Sequence, residues 1–208
     1  MQARSLVESR DLVVATPALS QPLASLVMSV VVSRSPERDR KWVTHSQDSI
    51  RPVVLGVTGA SGLIYAVRAV QHLLNADYPV DLVASKSTYM VWQAEMNIRM
   101  PTDPMQQAEF WREQAGGVTR GKLRCHHWSD VGAAIASGSF RTQGMVIIPC
   151  SMSTVAKIAA GLSSDLLERA VDVQLKEGRR VVIVPRETPF SLIHLRNLTA
   201  LAEAGVRV

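Results

Sequence analysis

The chain has 208 residues, room for one sizeable core and one or at most two domains. Its formal net charge is +5, but the Lys and Arg are scattered and aromatic residues make up only 5%. That pattern excludes a stacking platform for nucleic acid and leaves phosphorylated small molecules as the partner class. The two cysteines, Cys125 and Cys150, form neither a CxxC nor a metal spacing, and the histidines show no ligand spacing. No metal and no disulfide framework is expected, and a reducing, cytoplasmic compartment is the default. No run reaches the roughly 20 apolar residues needed to span a bilayer.

Residues 1–50 mix Ser, Arg and Asp without a lasting period and read as a flexible leader. From Pro52 the pattern sharpens. Val53–Val57 is an apolar, β-branched run, as in a buried parallel strand. After the small segment Thr58–Gly62, the residues Leu63, Ile64, Ala66, Val67, Val70, Leu73 and Leu74 recur at helical spacing. Residues 79–84 predict a second strand and 87–98 a helix. Residues 99–121 read as a loop with one helical turn in it. A short strand over 123–128 and a short helix over 131–136 follow. Met145–Ile148 predicts a buried strand stopped by Pro149, and Val181–Val184 another stopped by Pro185. Helices are expected over 153–160, 165–176 and 191–204, and a last strand begins at Val206. Apolar strands alternating with helices specify an α/β chain: a doubly wound, mainly parallel sheet in three α/β/α layers.

Ligands of such sheets bind outside the carboxyl ends of the strands. Gly59-Ala60-Ser61-Gly62 sits at the first such end. Glycines let a backbone turn tightly, and the following helix would offer free N–H groups to an anion. The plainer alternative is a tight turn with a serine N-cap. The spacing is not the dinucleotide G-x-G-x-x-G, and the second strand ends at Ser85 rather than at a ribose-binding acid, since Asp81 lies at that strand's beginning. A mononucleotide therefore fits better. Cys150, Ser151, Met152, Ser153 and Thr154 start a helix with three hydroxyls, as a polar site or as ordinary capping. Cys150 itself reads as a small buried hydrophobe rather than a nucleophile. Arg186 and Glu187, between Pro185 and Pro189, place a phosphate-binding cation and a carboxylate at a third strand end; a surface ion pair is the alternative. Glu168, Arg169, Asp172, Lys176 and Glu177 share one helix and read as a solvated charged face, with Asp172 in reach of Arg169 and of Lys176.

Taken in order, Val57–Gly62, Ala84-Ser85-Lys86, Ser137–Phe140, Pro149-Cys150-Ser151, Leu167–Val173, Leu175-Lys176-Glu177 and Val184–Pro189 resemble the flavin prenyltransferases of the UbiX type, from about Val53 to Val208. The resemblance implies a Rossmann-like, flavodoxin-like flavoprotein fold, homo-oligomers with active sites at subunit contacts, and no metal. It implies transfer of a dimethylallyl group from dimethylallyl phosphate to reduced FMN, with bonds to flavin N5 and C6. The product serves UbiD-type decarboxylases, one of them in ubiquinone synthesis. By match, Gly59, Ala60, Ser61, Ser85, Ser151, Met152, Ser153, Thr154 and Arg186 hold FMN. Ser61 lies near the reacting flavin edge, Glu95 handles a proton, and Arg169, Lys176 and Glu187 surround the prenyl phosphate. Family members continue past Val208 into further phosphate-binding residues, so an incomplete phosphate site is expected. Two alternatives share the fold: a flavin-dependent cysteine or phosphopantothenoylcysteine decarboxylase, expected to carry a histidine in the early helix region where only His72 occurs, and a flavin-binding protein without turnover.

Overall fold

A computed structural model describes residues 50–208; the expected leader, residues 1–50, lies outside the described residues except for Ile50. Five strands, β1 (Val53–Val57), β2 (Val80–Ala84), β3 (Leu123–His126), β4 (Gly144–Cys150) and β5 (Val181–Pro185), form one sheet in the order β3-β2-β1-β4-β5. Every pairing is parallel. All residues of β1, β2 and β4 are buried. These strands are mostly apolar and do not alternate, because helices cover both faces of the sheet; the exception is the buried Asp81 of β2.

On one face lie α1 (Leu63–Asn75), α2 (Lys86–Met96) and α3 (Pro104–Gln114). Their buried Leu63, Val67, Leu74, Trp92, Phe110 and Trp111 join one core cluster. On the other lie α4 (Met152–Ala159), α5 (Leu166–Lys176) and α6 (Leu192–Glu203), whose Val155, Leu167, Val171 and Leu201 join a second. The layers are therefore α/β/α. Burying Leu63, Val67, Val70, Leu73 and Leu74 along α1 contributes about 1.5–3 kcal/mol per large side chain. A last strand starts where expected: Arg207 pairs in parallel with Val182, donating its N–H to the Val181 carbonyl.

Three expectations change. Residues 99–121 are not a loop with one turn, because α3 occupies three turns of it. Asp103 caps α3, accepting from the N–H groups of Met105 and Gln106, and Pro104 takes the first helical position. Phe110 and Trp111 then pack edge-on against Trp92, at 5.1 and 4.9 Å. The helix predicted over 131–136 is only a 3-10 turn, Ala134–Ala136. Pro185 is the last residue of β5, as expected, whereas β4 runs one residue past Pro149, to Cys150. The ladder shifts register between Ile147 and Cys150 and resumes at Cys150–Pro185, so Pro149 sits within the irregularity and Pro185 at the strand end, where no ladder N–H is required.

Candidate active site at the carboxyl edge of the sheet

Backbone-directed hydrogen bonds lace the strand ends together. The N–H of Ser85 and the hydroxyl of Thr88 both donate to the Val57 carbonyl, at 2.8 and 2.9 Å. The buried Thr58 hydroxyl donates to the Pro149 carbonyl and accepts from the Ser151 N–H, both at 2.8 Å. The Arg186 N–H donates to the Cys150 carbonyl at 3.0 Å. The ends of β2, β1, β4 and β5 therefore form one continuous rim. It carries Gly59, Ala60 and Ser61, then Ser85, then Ser151, Met152, Ser153 and Thr154, and then Arg186 and Glu187.

The Gly59–Gly62 loop does not present an open helix end. Gly62 is the N-cap of α1, with φ +94° and no side-chain cap of its own, a conformation suited to glycine. The carboxylate of Glu95, from the last turn of α2, accepts from the N–H of Gly62 (3.0 and 3.2 Å) and from that of Leu63 (3.2 Å). The free N–H groups expected here are thus occupied, because a side-chain carboxylate satisfies the first-turn donors and the positive helix end just as an external anion would. Ser61 precedes the cap and does not fill it. At the other end of α2, a Cβ on Gly59 would lie 2.8 Å from the backbone carbon of Ser87. Only glycine lets the two segments touch.

The start of α2 supplies what α1 does not. Ser85 is its N-cap but makes no side-chain capping bond, which leaves first-turn N–H groups available. The Ser85 hydroxyl lies 3.0 Å from those of Ser87 and Thr88. The Lys86 ammonium is 5.5 Å from the centre of the Trp128 ring, on the same turn. Hydroxyls, open N–H groups and a cation at a helix N-terminus fit a phosphate monoester. Ser85-Lys86 was read from the sequence as a strand end, but Ser87 and Thr88 were not singled out; the signal was there in Ser85-Lys86-Ser87-Thr88, a strand end dense in hydroxyls. At α4, Ser151 is the cap, accepting from the Thr154 N–H at 3.3 Å with its hydroxyl 3.0 Å from that of Thr154. Capping by Ser153 does not occur, and Ser153 is exposed. The rim thus holds one helix start without a side-chain cap and a separate row of hydroxyls, which suits FMN.

The remaining residues divide. Arg186 is exposed and Glu187 half-buried, with a Glu187 oxygen accepting from the Thr188 N–H at 3.1 Å. Arg169, in the first turn of α5, pairs with Asp172 at 2.6 Å. Lys176 lies within 4.0 Å of Glu177 rather than pairing with Asp172. It ends α5 on the strand-start side, where Thr142 bonds Gln174 just before β4 begins, so one chain does not bring Lys176 to the rim. Glu168 is not part of a solvated face. Its carboxylate is 2% exposed and is held by Lys157 at 2.7 Å and by the N–H and hydroxyl of Ser164. His72 lies in the last turn of α1, away from the rim. Cys150 is fully buried, and burial pushes its thiol up to about 12, which leaves it no role as a nucleophile. Among the described residues no group of His, Cys, Asp and Glu could hold a metal ion, and no helix is long and apolar enough to cross a membrane.

Residues 42–208 match the Flavoprotein family. Over 158 residues the chain is 71% identical to Flavin prenyltransferase UbiX of Synechocystis sp., spanning 76% of this chain and 77% of that one. Among solved structures, AnUbiX in complex with FMN and dimethylallyl pyrophosphate superposes with a TM-score of 0.64 at 36% identity, covering 76% of this chain and 77% of that one. A dodecameric FMN-dependent Ubix-like decarboxylase from Escherichia coli gives 0.62 at 39% identity, covering 75% and 77%.

Proposed function

The chain belongs to the flavin prenyltransferases within the Flavoprotein family, and on that premise we propose that it transfers a dimethylallyl group from dimethylallyl phosphate to reduced FMN. The observation that carries this reading is the rim itself. An uncapped helix start ringed by Ser85, Ser87 and Thr88 stands beside a second helix start that presents Ser151 and Thr154. The first matches a phosphate monoester and the second the polar edge of a ring.

Transfer breaks the allylic C–O bond, whose electron pair leaves with the phosphate, while reduced FMN supplies the nucleophilic positions N5 and C6. Each of those positions gives up a proton; one returns to the alkene carbon and the other leaves with phosphate or solvent. This chain's residues supply the setting. Gly59 and Ala60 let the backbone approach the flavin, Ser61 faces its reacting edge, and Ser85 and Ser87 hold its phosphate, with Thr88 fixing Ser85 from below through its bond to the Val57 carbonyl. Ser151, Ser153, Thr154 and Arg186 bond its polar edge, and Met152 backs it. Arg169 and Arg186 stabilise charge growing on the departing phosphate, with Glu187 orienting the cations. Glu95 takes the proton from C6, as a positioned carboxylate can.

Lys176 joins the phosphate site across a contact between copies of the chain. Two features support this: its place on the strand-start side, and the exposed Phe190, Leu192, Ile193 and Leu195 at the start of α6. The Escherichia coli neighbour is a dodecamer. A cytoplasmic location follows from two free, buried cysteines. A UbiD-type decarboxylase as recipient of the product, and residues 51–208 as the working domain behind a separate leader, rest on the family resemblance. The test is anaerobic mixing of the purified chain with reduced FMN and dimethylallyl phosphate. A flavin mass gain of one prenyl unit is expected; bound but unchanged flavin would refute the transfer.

A further inference from the structure

We infer that the Gly59–Gly62 loop acts as a two-point seat for α2, and that the purpose of the second point is to position Glu95; this rests on the reading of Glu95 as the proton acceptor. Two contacts define the seat. At one end Gly59 lies so close to Ser87 that any Cβ would strike its backbone. At the other, three hydrogen bonds run from the Gly62 and Leu63 N–H groups to the Glu95 carboxylate. Ser87 and Glu95 are eight residues apart on α2, about 12 Å at the usual helical rise. The helix therefore lies along the loop, fixed at both ends.

The Glu95 contact is built rather than incidental. Glu95 is exposed, and a free exposed glutamate samples many rotamers. Here two N–H donors and the positive end of a thirteen-residue helix hold it. The donors converge because Gly62 adopts φ +94°, a backbone that a residue with a Cβ enters only with strain. A Cβ at Gly62 would also come within 3.1 Å of the Tyr65 ring. Gly62 is thus a positioning residue. It aims the N–H groups that hold Glu95, and Glu95 meets the flavin beside Ser61, one residue before the turn.

The experiment uses the full chain with reduced FMN and dimethylallyl phosphate, reading the two new bonds separately. Attachment at N5 is read as flavin mass gain, and closure at C6 as loss of the C6 proton resonance. Glu95→Gln slows closure on the order of 100-fold, the usual worth of a positioned general base. Gly62→Ala slows closure by about tenfold or more, since an ångström of misplacement suffices, while attachment stays within about threefold. If Gly62→Ala does not fold, Glu95→Asp replaces it: one methylene shorter, it cannot span both the loop and the flavin, and closure alone slows. A readout independent of turnover is the amide proton resonance of Gly62 and Leu63, which moves upfield in Glu95→Ala while the rest of α1 keeps its shifts. Unmoved amides would overturn the clamp. Equal slowing of both bonds in Gly62→Ala would overturn it too, because the loop would then only be holding flavin. Normal closure in Glu95→Gln would overturn the reading of Glu95 as acceptor, and the inference with it. Normal closure in Gly62→Ala alongside slow closure in Glu95→Gln would overturn the inference alone.

Discussion

Thr58 offers the sharpest test of how the rim is held. Its side chain is fully buried, and its hydroxyl makes two bonds from the end of β1 to the end of β4, donating to the Pro149 carbonyl and accepting from the Ser151 N–H at 2.8 Å each. Thr58→Val keeps the shape and removes both bonds. The Pro149 carbonyl retains a partner, because the Thr58 N–H also reaches it, at 3.3 Å. The Ser151 N–H loses the only partner recorded for it. Losing the first bond costs about 1 kcal/mol, and orphaning a half-buried N–H adds about 1–2 kcal/mol. The expected loss is therefore about 2–3 kcal/mol, or a fall of about 4–12 °C in Tm for a domain of this size. Thr58→Ser, which keeps the hydroxyl, should recover most of it. Urea unfolding followed by circular dichroism measures the difference. Because Ser151 caps α4, FMN affinity should fall in parallel. A Thr58→Val protein within about 0.5 kcal/mol of the parent would refute the idea that this hydroxyl ties the rim, since such a change is no larger than an ordinary surface substitution.

Three more predictions follow from buried groups. Burial pushes the thiols of Cys125 and Cys150 up to about 12, with the Asp81 charge adding to the effect on Cys125; a thiol reagent at neutral pH should therefore label neither in the folded protein and both after denaturation, and Cys150→Ala should keep turnover. Asp81 is held by His126 at 2.8 Å and by both arms of Arg124; burial alone would raise its carboxyl, but those bonds outweigh it and hold the carboxyl below the ordinary range. The stability they contribute is thus full above the unfolded-chain value near 4 and lost as pH falls through the lower folded value, so Asp81→Asn should cost about 2–3 kcal/mol at neutral pH and progressively less in acid, measured by urea unfolding across pH. In the Lys157–Glu168 pair the lysine is 42% exposed and the glutamate 2%; Lys157→Met, which strands the buried carboxylate, should cost more than Glu168→Gln, which releases a lysine able to reach water, and the reverse order in denaturant unfolding would refute that reasoning.

The centre of the sheet could be read from the chain because its strands are buried on both faces and therefore apolar, as Val53–Val57 and Met145–Ile148 are. Its helices were legible where a single face is apolar, as on α1 and α5. The helix α3 escaped because its face does not follow that rule. Gln107 is fully buried while Met105 is largely exposed, so polarity no longer reports burial, and only the Asp103-Pro104 start carried a usable signal. Glu168 was misread for a related reason. Its partner Lys157 belongs to a different helix, and no spacing within α5 could reveal it. The rim was legible as three unusual strand ends, whereas the bonds that join them, between Thr58 and Pro149 or between Gly62 and Glu95, cross 91 and 33 residues of chain. Such pairings are set by sheet order and not by any local pattern.

The same limit explains how the glycine loop can look like a phosphate cradle without being one. Four helices, α1, α2, α4 and α6, follow directly from the strand ends of this rim, and each first turn has donors to satisfy; in α6 the Ser191 hydroxyl takes the His194 N–H. In α4 the chain's own Ser151 takes one. In α1 the carboxylate of Glu95 takes two. Only α2 leaves its start without a side-chain cap, and there the hydroxyls of Ser85 and Ser87 and the Lys86 side chain gather instead. A dianionic phosphate entering at α1 would have to displace Glu95 and lie against whatever charge it kept. Entering at α2 it meets donors alone. The loop's Gly59 is needed for the close approach of α2, and on the proposed function a phosphate is expected one strand away, at Ser85, where the helix start carries no side-chain cap.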